Sequence, residues 1–247
     1  LEFADLDVAA AAALIAQQQA DAPFRYVVTP NADHLARLAR RPALVAAYEN
    51  AWLCLLDSRV VARAARLLGL AVPCVAPGSD LTAALLATHL VPGERVTIIG
   101  LRPAWLPALI RRHGLAEVAH YDPPMGFEND PVAFRAAIRF VVAHPARFTF
   151  LAVGSPRQEM LAAAIAATGQ ARGIGLCIGA GLDFLAGALP RAPAWMQRSG
   201  LEWLHRLAAD PRRLARRYLV EDPAVFALLV REWRGVRAGT TQGHALT

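Results

Sequence analysis

The chain has 247 residues, 55% hydrophobic and 19% charged, a balance that excludes intrinsic disorder and points to one or two packed domains. No apolar run reaches the roughly 18 residues of a membrane-crossing helix, and three cysteines without a CxxC pair (Cys54, Cys74, Cys177) argue against a disulfide scaffold and a cysteine-ligated zinc site. All 26 basic residues are arginine, which removes lysine Schiff bases and the P-loop lysine from consideration.

From about residue 24 the chain alternates short apolar runs with helical patterns. Strands are predicted at Phe24–Thr29, Trp52–Leu56, Val72–Val75, Arg95–Gly100, Glu117–Tyr121, Phe148–Val153 and Gly175–Ile178, with alanine-rich helices near 34–49, 59–68, 80–89, 104–113, 131–143 and 157–167. Alternation at this spacing predicts an α/β, Rossmann-like, mostly parallel sheet with helices on both faces. Runs such as TIIG and FTFLAVG are apolar at successive positions, as strands buried on both faces require. After Asp183 the strand signals stop and the pattern becomes helical, over 193–208, 211–220 and 223–234, with Pro211 and Pro223 in first turns behind Asp210 and Asp222. This divides the chain into an α/β domain over 1–190 and a helical appendage over 191–247. Ten arginines and five acids lie between Arg191 and Arg237, so the appendage carries most of the formal net charge of +6. A basic end of this kind attracts phosphates, on lipids or on nucleic acid.

Parallel sheets bind ligands beyond the carboxyl ends of their strands, so the residues that follow each strand are the first candidates for function. They are rich in glycine, small hydroxyls, carboxylates and arginine, the make-up of a nucleotide-phosphate rim. Asp57 follows the strand WLCLL directly; it suits a general base held at a crevice mouth, and equally an N-cap for the helix beginning near Arg59. Gly154-Ser155-Pro156-Arg157-Gln158-Glu159 is a strand–turn–helix junction. Its glycine admits a ligand to the backbone, Ser155 and Pro156 suit the cap and first helical position, and Arg157 and Gln158 are available to a phosphate or sugar. An ordinary capped helix start has the same pattern. Gly179, Gly181 and Asp183 form a turn at a strand end, with Asp183 available to a ribose or base, or simply serving as a cap. The glycines at 173, 175 and 179 miss the GxGxxG register, and no HExxH or GxSxG element is present, so nicotinamide, zinc-peptidase and serine-hydrolase readings lack support. Trp195, Trp203, Trp233 and Phe226 accompany Arg213, Arg216 and Arg217 on amphipathic segments, as in helices that lie in a membrane interface or, alternatively, cap the sheet.

In order along the chain, TPNADHL at 29–35, the Asp57 loop, GSDL at 78–81, PMGF at 124–127, LAVGSPRQE at 151–159 and IGAGLDFLAGALPRAPAWMQRSGLEWLHRLAADPRRLARRYL at 178–219 resemble the WecG/TagA/CpsF family of bacterial glycosyltransferases. The resemblance implies an inverting hexosyl- or N-acetylhexosaminyltransferase that needs no metal and no cofactor. Its donor would be a UDP-sugar and its acceptor a polyprenyl-diphosphate-linked glycan, in the synthesis of cell-surface or exopolysaccharide. It further implies a peripheral protein on the cytoplasmic face of the cell membrane, with no nucleic-acid partner. Related proteins self-associate, which leaves a homo-oligomer open. By matching positions, Asp57 takes the place of the family's proposed catalytic base, and Thr29 and Asn31 that of its TPN site residues. Gly126, Phe127, Gly154, Ser155, Pro156, Gln158, Gly179, Gly181 and Asp183 fall in its donor-binding segments, and Arg212, Arg213, Arg216 and Arg217 among its appendage arginines. Two departures stand out: Ser58-Arg59 follows Asp57 where the family commonly has glycine, and Cys74-Val75-Ala76-Pro77 stands where it often has an arginine. Arg59 is the expected substitute for that positive charge. The competing readings are a nucleotide-cofactor oxidoreductase on a similar sheet and a non-catalytic basic membrane-binding module.

Overall fold

The structure is a computed structural model, and it describes residues 1–216, 219 and 222–238. Six strands, β1 (Arg25–Val28), β2 (Leu53–Cys54), β3 (Arg95–Gly100), β4 (Glu117–Tyr121), β5 (Phe148–Ala152) and β6 (Ile174–Cys177), form one sheet in the order β2-β1-β6-β5-β3-β4. Every pairing is parallel. The register aligns the strand exits: Val28 pairs with both Cys54 and Cys177, Leu151 with Cys177, and Gly100 with Ala152. All loops that leave the strands therefore emerge along one edge.

Successive strand residues serve opposite faces, which explains the unbroken apolar runs. Val27, Ile98, Phe150 and Leu176 belong to one core with α1 (Val8–Ala16), α5 (Gly78–Ala84), α6 (Leu106–His113) and α9 (Gly181–Ala186). Val28, Ile99, Leu151 and Cys177 belong to the other, with α3 (Val45–Glu49), α7 (Pro131–Ala143) and α8 (Arg157–Ala167). The α/β class and the helix cover on both faces are as expected. The helix α1 was not anticipated; Asp7 caps it, accepting from the Ala10 amide at 2.8 Å, ahead of an alanine run of high helix propensity.

The expected strand at Val72–Val75 does not form. Only Val75 bridges to Leu56. Pro73 has no amide to donate to a ladder, and the amide of Cys74 goes instead to Asp5 Oδ1 at 2.8 Å. The expected helix at 34–49 is interrupted, running as α2 (Ala32–Arg40), a 3-10 turn over Pro42–Leu44 and α3. Pro42 forces that break, since it has no amide for the α-helical ladder.

Beyond α9 the described residues contain only helices: α10 (Ala194–Arg198), α11 (Glu202–Ala209), α12 (Pro211–Arg216) and α13 (Ala224–Arg237). The single helix expected over 193–208 is broken at Gly200, whose φ of +72° suits glycine. A third apolar cluster joins Val225 and Leu229 of α13 to Leu56 at the β2 exit and to Val61, Ala62 and Ala65 of α4 (Arg59–Leu67). Among the described residues no helix is long and apolar enough to cross a membrane.

Candidate active site

Asp57 leaves β2 at the sheet edge and is tied to two neighbouring loops. Its amide donates to the Pro30 carbonyl at 3.0 Å, and its Oδ2 accepts from the Gly78 amide at 3.1 Å. It is not the cap of the following helix. Ser58 holds that position, its Oγ accepting from Val61 N at 3.2 Å, so the Asp57 carboxyl is left to the cavity. Burial raises its pKa from 3.8 to about 7. The Gly78 hydrogen bond and Arg206 pull it down against that, and Glu202 and Asp80 add to the rise. A carboxyl balanced near neutrality can accept a proton and return it.

The cavity around this carboxyl has a volume of about 310 Å³. One wall belongs to the sheet edge and includes Asn31, Arg59 and Ser79; the other belongs to the C-terminal helices and includes Glu202, Trp203, Arg206 and Phe226. Asn31 caps α2 through its Oδ1, which accepts from Asp33 N at 3.1 Å and His34 N at 3.4 Å. Its amide nitrogen takes no part in that cap. Arg206 pairs with Glu202 at 2.6 Å and lies 4.9 Å over the Phe184 ring, which holds a cation opposite Asp57. Arg59 stands 3.8 Å from Asp80. Arg191 reaches the same segment, bonding Asp80 and, at 3.1 Å, Ser79 Oγ. Two arginines thus converge where Cys74–Pro77 offers none.

The remaining expected residues lie along the same edge but outside this cavity. Thr29 is buried, its hydroxyl donating to the Cys177 carbonyl at 3.2 Å, so it joins the ends of β1 and β6. Gln158 is 1% exposed. Its Oε1 accepts from Gly179 N at 2.9 Å and its Nε2 donates to Glu159 at 2.8 Å, so it braces the Gly154 turn against the Gly179 turn from behind. Ser155 is not a helix cap, because its hydroxyl meets Arg37 at 2.9 Å and Tyr48 at 3.1 Å. Pro156 stands at the cap position in its place. Phe127 is buried and stacks on Phe134 at 5.9 Å, while Gly126 takes a left-handed turn beside it (φ +81°). Gly181 opens α9, and burial raises the pKa of half-buried Asp183, with Arg102 opposing the rise and Asp122 adding to it.

Of the appendage arginines, Arg212 and Arg216 are exposed on α12, away from the cavity lining. The Arg213 side chain and all of Arg217 lie outside the described residues. Glu202, Trp203 and Arg206 were not singled out as site residues from sequence. Their signal is an i,i+4 acid–arginine pair with a tryptophan between them. Among the described residues, no three His, Cys, Asp or Glu side chains converge as metal ligands.

A parallel sheet with a near-neutral carboxyl at its ligand edge, facing an aromatic and cationic helical wall, is an arrangement suited to group transfer. The model of the glycosyl transferase WecG/TagA/CpsF family matches residues 1–239. The chain belongs to the WecG/TagA/CpsF family of glycosyl transferases.

Proposed function

We propose that the protein is an inverting glycosyltransferase that moves a sugar from a UDP-sugar to a glycan carried on a polyprenyl diphosphate. The placement of Asp57 carries this reading: its carboxyl titrates near 7 and faces a cavity closed by Trp203, Arg206 and Glu202. In the proposed step the acceptor hydroxyl gives its proton to Asp57 as its oxygen bonds to the anomeric carbon. The bond from that carbon to the diphosphate breaks, and UDP leaves with the electron pair. Single displacement inverts the anomeric centre. The charge that grows on the leaving diphosphate is met by arginines, among them Arg59 and Arg206. Neither the Asp57 step nor this neutralisation calls on a metal.

The donor is assigned to the shelf formed by the Gly154 and Gly179 turns, where Gln158 fixes the spacing between two half-buried turns. The acceptor is assigned to the cavity, with Asn31 orienting a sugar hydroxyl and Trp203 offering an aromatic face. Thr29 is assigned a positioning role behind both. Peripheral attachment to the inner membrane face is supported by Trp195 and Leu219, 59% and 60% exposed, in the same segment as exposed Arg212 and Arg216.

Asp57→Asn is expected to abolish transfer while UDP still raises the melting temperature, as a ligand that binds only the folded state must. NAD is expected to leave the melting temperature unchanged. Near-wild-type transfer in Asp57→Asn removes the base assignment, and stabilisation by NAD but not UDP removes the donor assignment.

A further inference from the structure

Arg59 borders two cavities. Besides the one that holds Asp57, it lines a second, of about 370 Å³, with Arg63, Arg66, Arg198, Asp7 and Cys74. Arg59, Arg63 and Arg66 lie at i, i+4 and i+7 on α4, so they share one helix face. Arg198 arrives from the last turn of α10. Arg63 sets its position by donating to the carbonyls of Arg198, at 2.9 Å, and Ser199. Gly200 makes the turn that follows α10, its φ of +72° suiting glycine, and packs against Arg59 and Arg63.

The charge in this cleft is unbalanced. Four guanidiniums line the cleft against one lining carboxylate, Asp7, one oxygen of which already caps α1; Arg59 is also paired with Asp80 and Arg63 is bonded to the α10 carbonyls, which leaves Arg66 and Arg198 as the cations facing the cleft. Arg63, Arg66 and Arg198 are exposed, and neither Arg66 nor Arg198 has an ion pair with a carboxylate among the described residues. Like charges gathered in a concave surface repel one another unless an anion sits between them. Planar guanidinium forks match phosphate oxygens two at a time, which makes phosphate the anion this lining fits best.

We propose that this arginine cleft is a second anion site that binds a phosphate monoester or diphosphate group. The source is either a lipid headgroup or a free diphosphate. Trp195, exposed and three residues before Arg198 on α10, places an aromatic side chain beside the cleft, as at a membrane interface. The site does not rest on the transferase reading, because none of Arg63, Arg66 and Arg198 lines the Asp57 cavity.

The cleft contains its own reporter. Cys74 is exposed, whereas Cys54 and Cys177 are buried. Asp5 beside Cys74 raises its thiol pKa, so modification by a thiol-specific reagent is best followed in mildly alkaline buffer. The full chain is treated at matched ionic strength with inorganic pyrophosphate, or with phosphatidylcholine vesicles with and without phosphatidic acid, whose headgroup is a phosphate monoester. Pyrophosphate is expected to slow Cys74 modification saturably, and Arg66→Ala/Arg198→Ala to raise the half-saturating concentration about tenfold or more with an unchanged melting temperature. Asp7→Ser, which keeps a capping hydroxyl and removes the carboxylate, is expected to strengthen protection. Protection by phosphatidic acid vesicles alone, lost in the double variant, assigns the site to a lipid headgroup; protection by pyrophosphate assigns it to a free diphosphate. If neither probe protects, or if the double variant is protected as well as the wild type, the proposal is overturned.

Discussion

Asp57 is a carboxyl set where ionisation is unfavourable, and that setting links its chemistry to stability. Burial raises its folded pKa to about 7 from an ordinary 3.8. In the unfolded chain it ionises near its ordinary value, so between these two pH values the folded state binds more protons and stability falls as pH rises. Below that interval the penalty is absent, and above about 7 it is present in full. Asp57→Asn is therefore expected to stabilise the protein at pH 8 by about 1–2 kcal/mol, a figure kept small because the carboxyl opens onto a cavity rather than close-packed protein, and to be neutral at pH 3. Denaturant unfolding at the two pH values checks this. Base catalysis has the opposite dependence: kcat/KM of the wild type is expected to rise with pH through about 7 and then level off. The same residue shows how far local sequence can be read. Its place after a β-strand was plain from WLCLL, but whether it caps the next helix depended on whether Ser58 or Asp57 met the amide of Val61, a matter of backbone angles. Gln158 teaches the same lesson in reverse. Its motif suggested a ligand contact, and its side chain instead holds Gly179 and Glu159.

Among the elements, the junctions between strand ends and helix starts organise the site. Gly78 opens α5, donates its amide to Asp57, and lies so close to the end of β1 that a Cβ would stand 2.7 Å from Thr29 Oγ1. Thr29 cannot yield easily, since it is buried and its hydroxyl is bonded to Cys177. Gly78→Ala is expected to push α5 away from β1, costing about 1–3 kcal/mol and lowering kcat more than donor affinity. Unfolding midpoints and a split of kcat from KM test this. The strands themselves were legible because burial on both faces leaves unbroken apolar runs. The exception at Val72–Val75 shows the limit of that signal. Those residues are apolar, but a ladder also needs amides, and there proline and the Asp5 carboxylate withhold them.

The candidate cavity depends on two distant parts of the chain being held together. Its sheet wall comes from the first 80 residues and its helical wall from beyond residue 196, and the apolar contact of Val225 and Leu229 with α4 keeps them in place. Leu229→Ala is expected to cost about 2–4 kcal/mol through the void it leaves, and to reduce transfer while stabilisation by UDP is retained, because the shelf proposed for the donor lies on the sheet. Calorimetry with and without UDP, alongside a transfer assay, separates these effects. Periodicity, strand-end chemistry and the order of motifs, all properties of neighbours in the chain, were enough to establish the α/β class, the ligand edge and Asp57 as a candidate. They could not reveal that Glu202, Trp203 and Arg206 close over Asp57, or that Arg59 divides two cavities lined by arginines from different helices. Those groupings arise from long-range packing, in which residues more than a hundred positions apart meet because burying apolar surface brings their helices together.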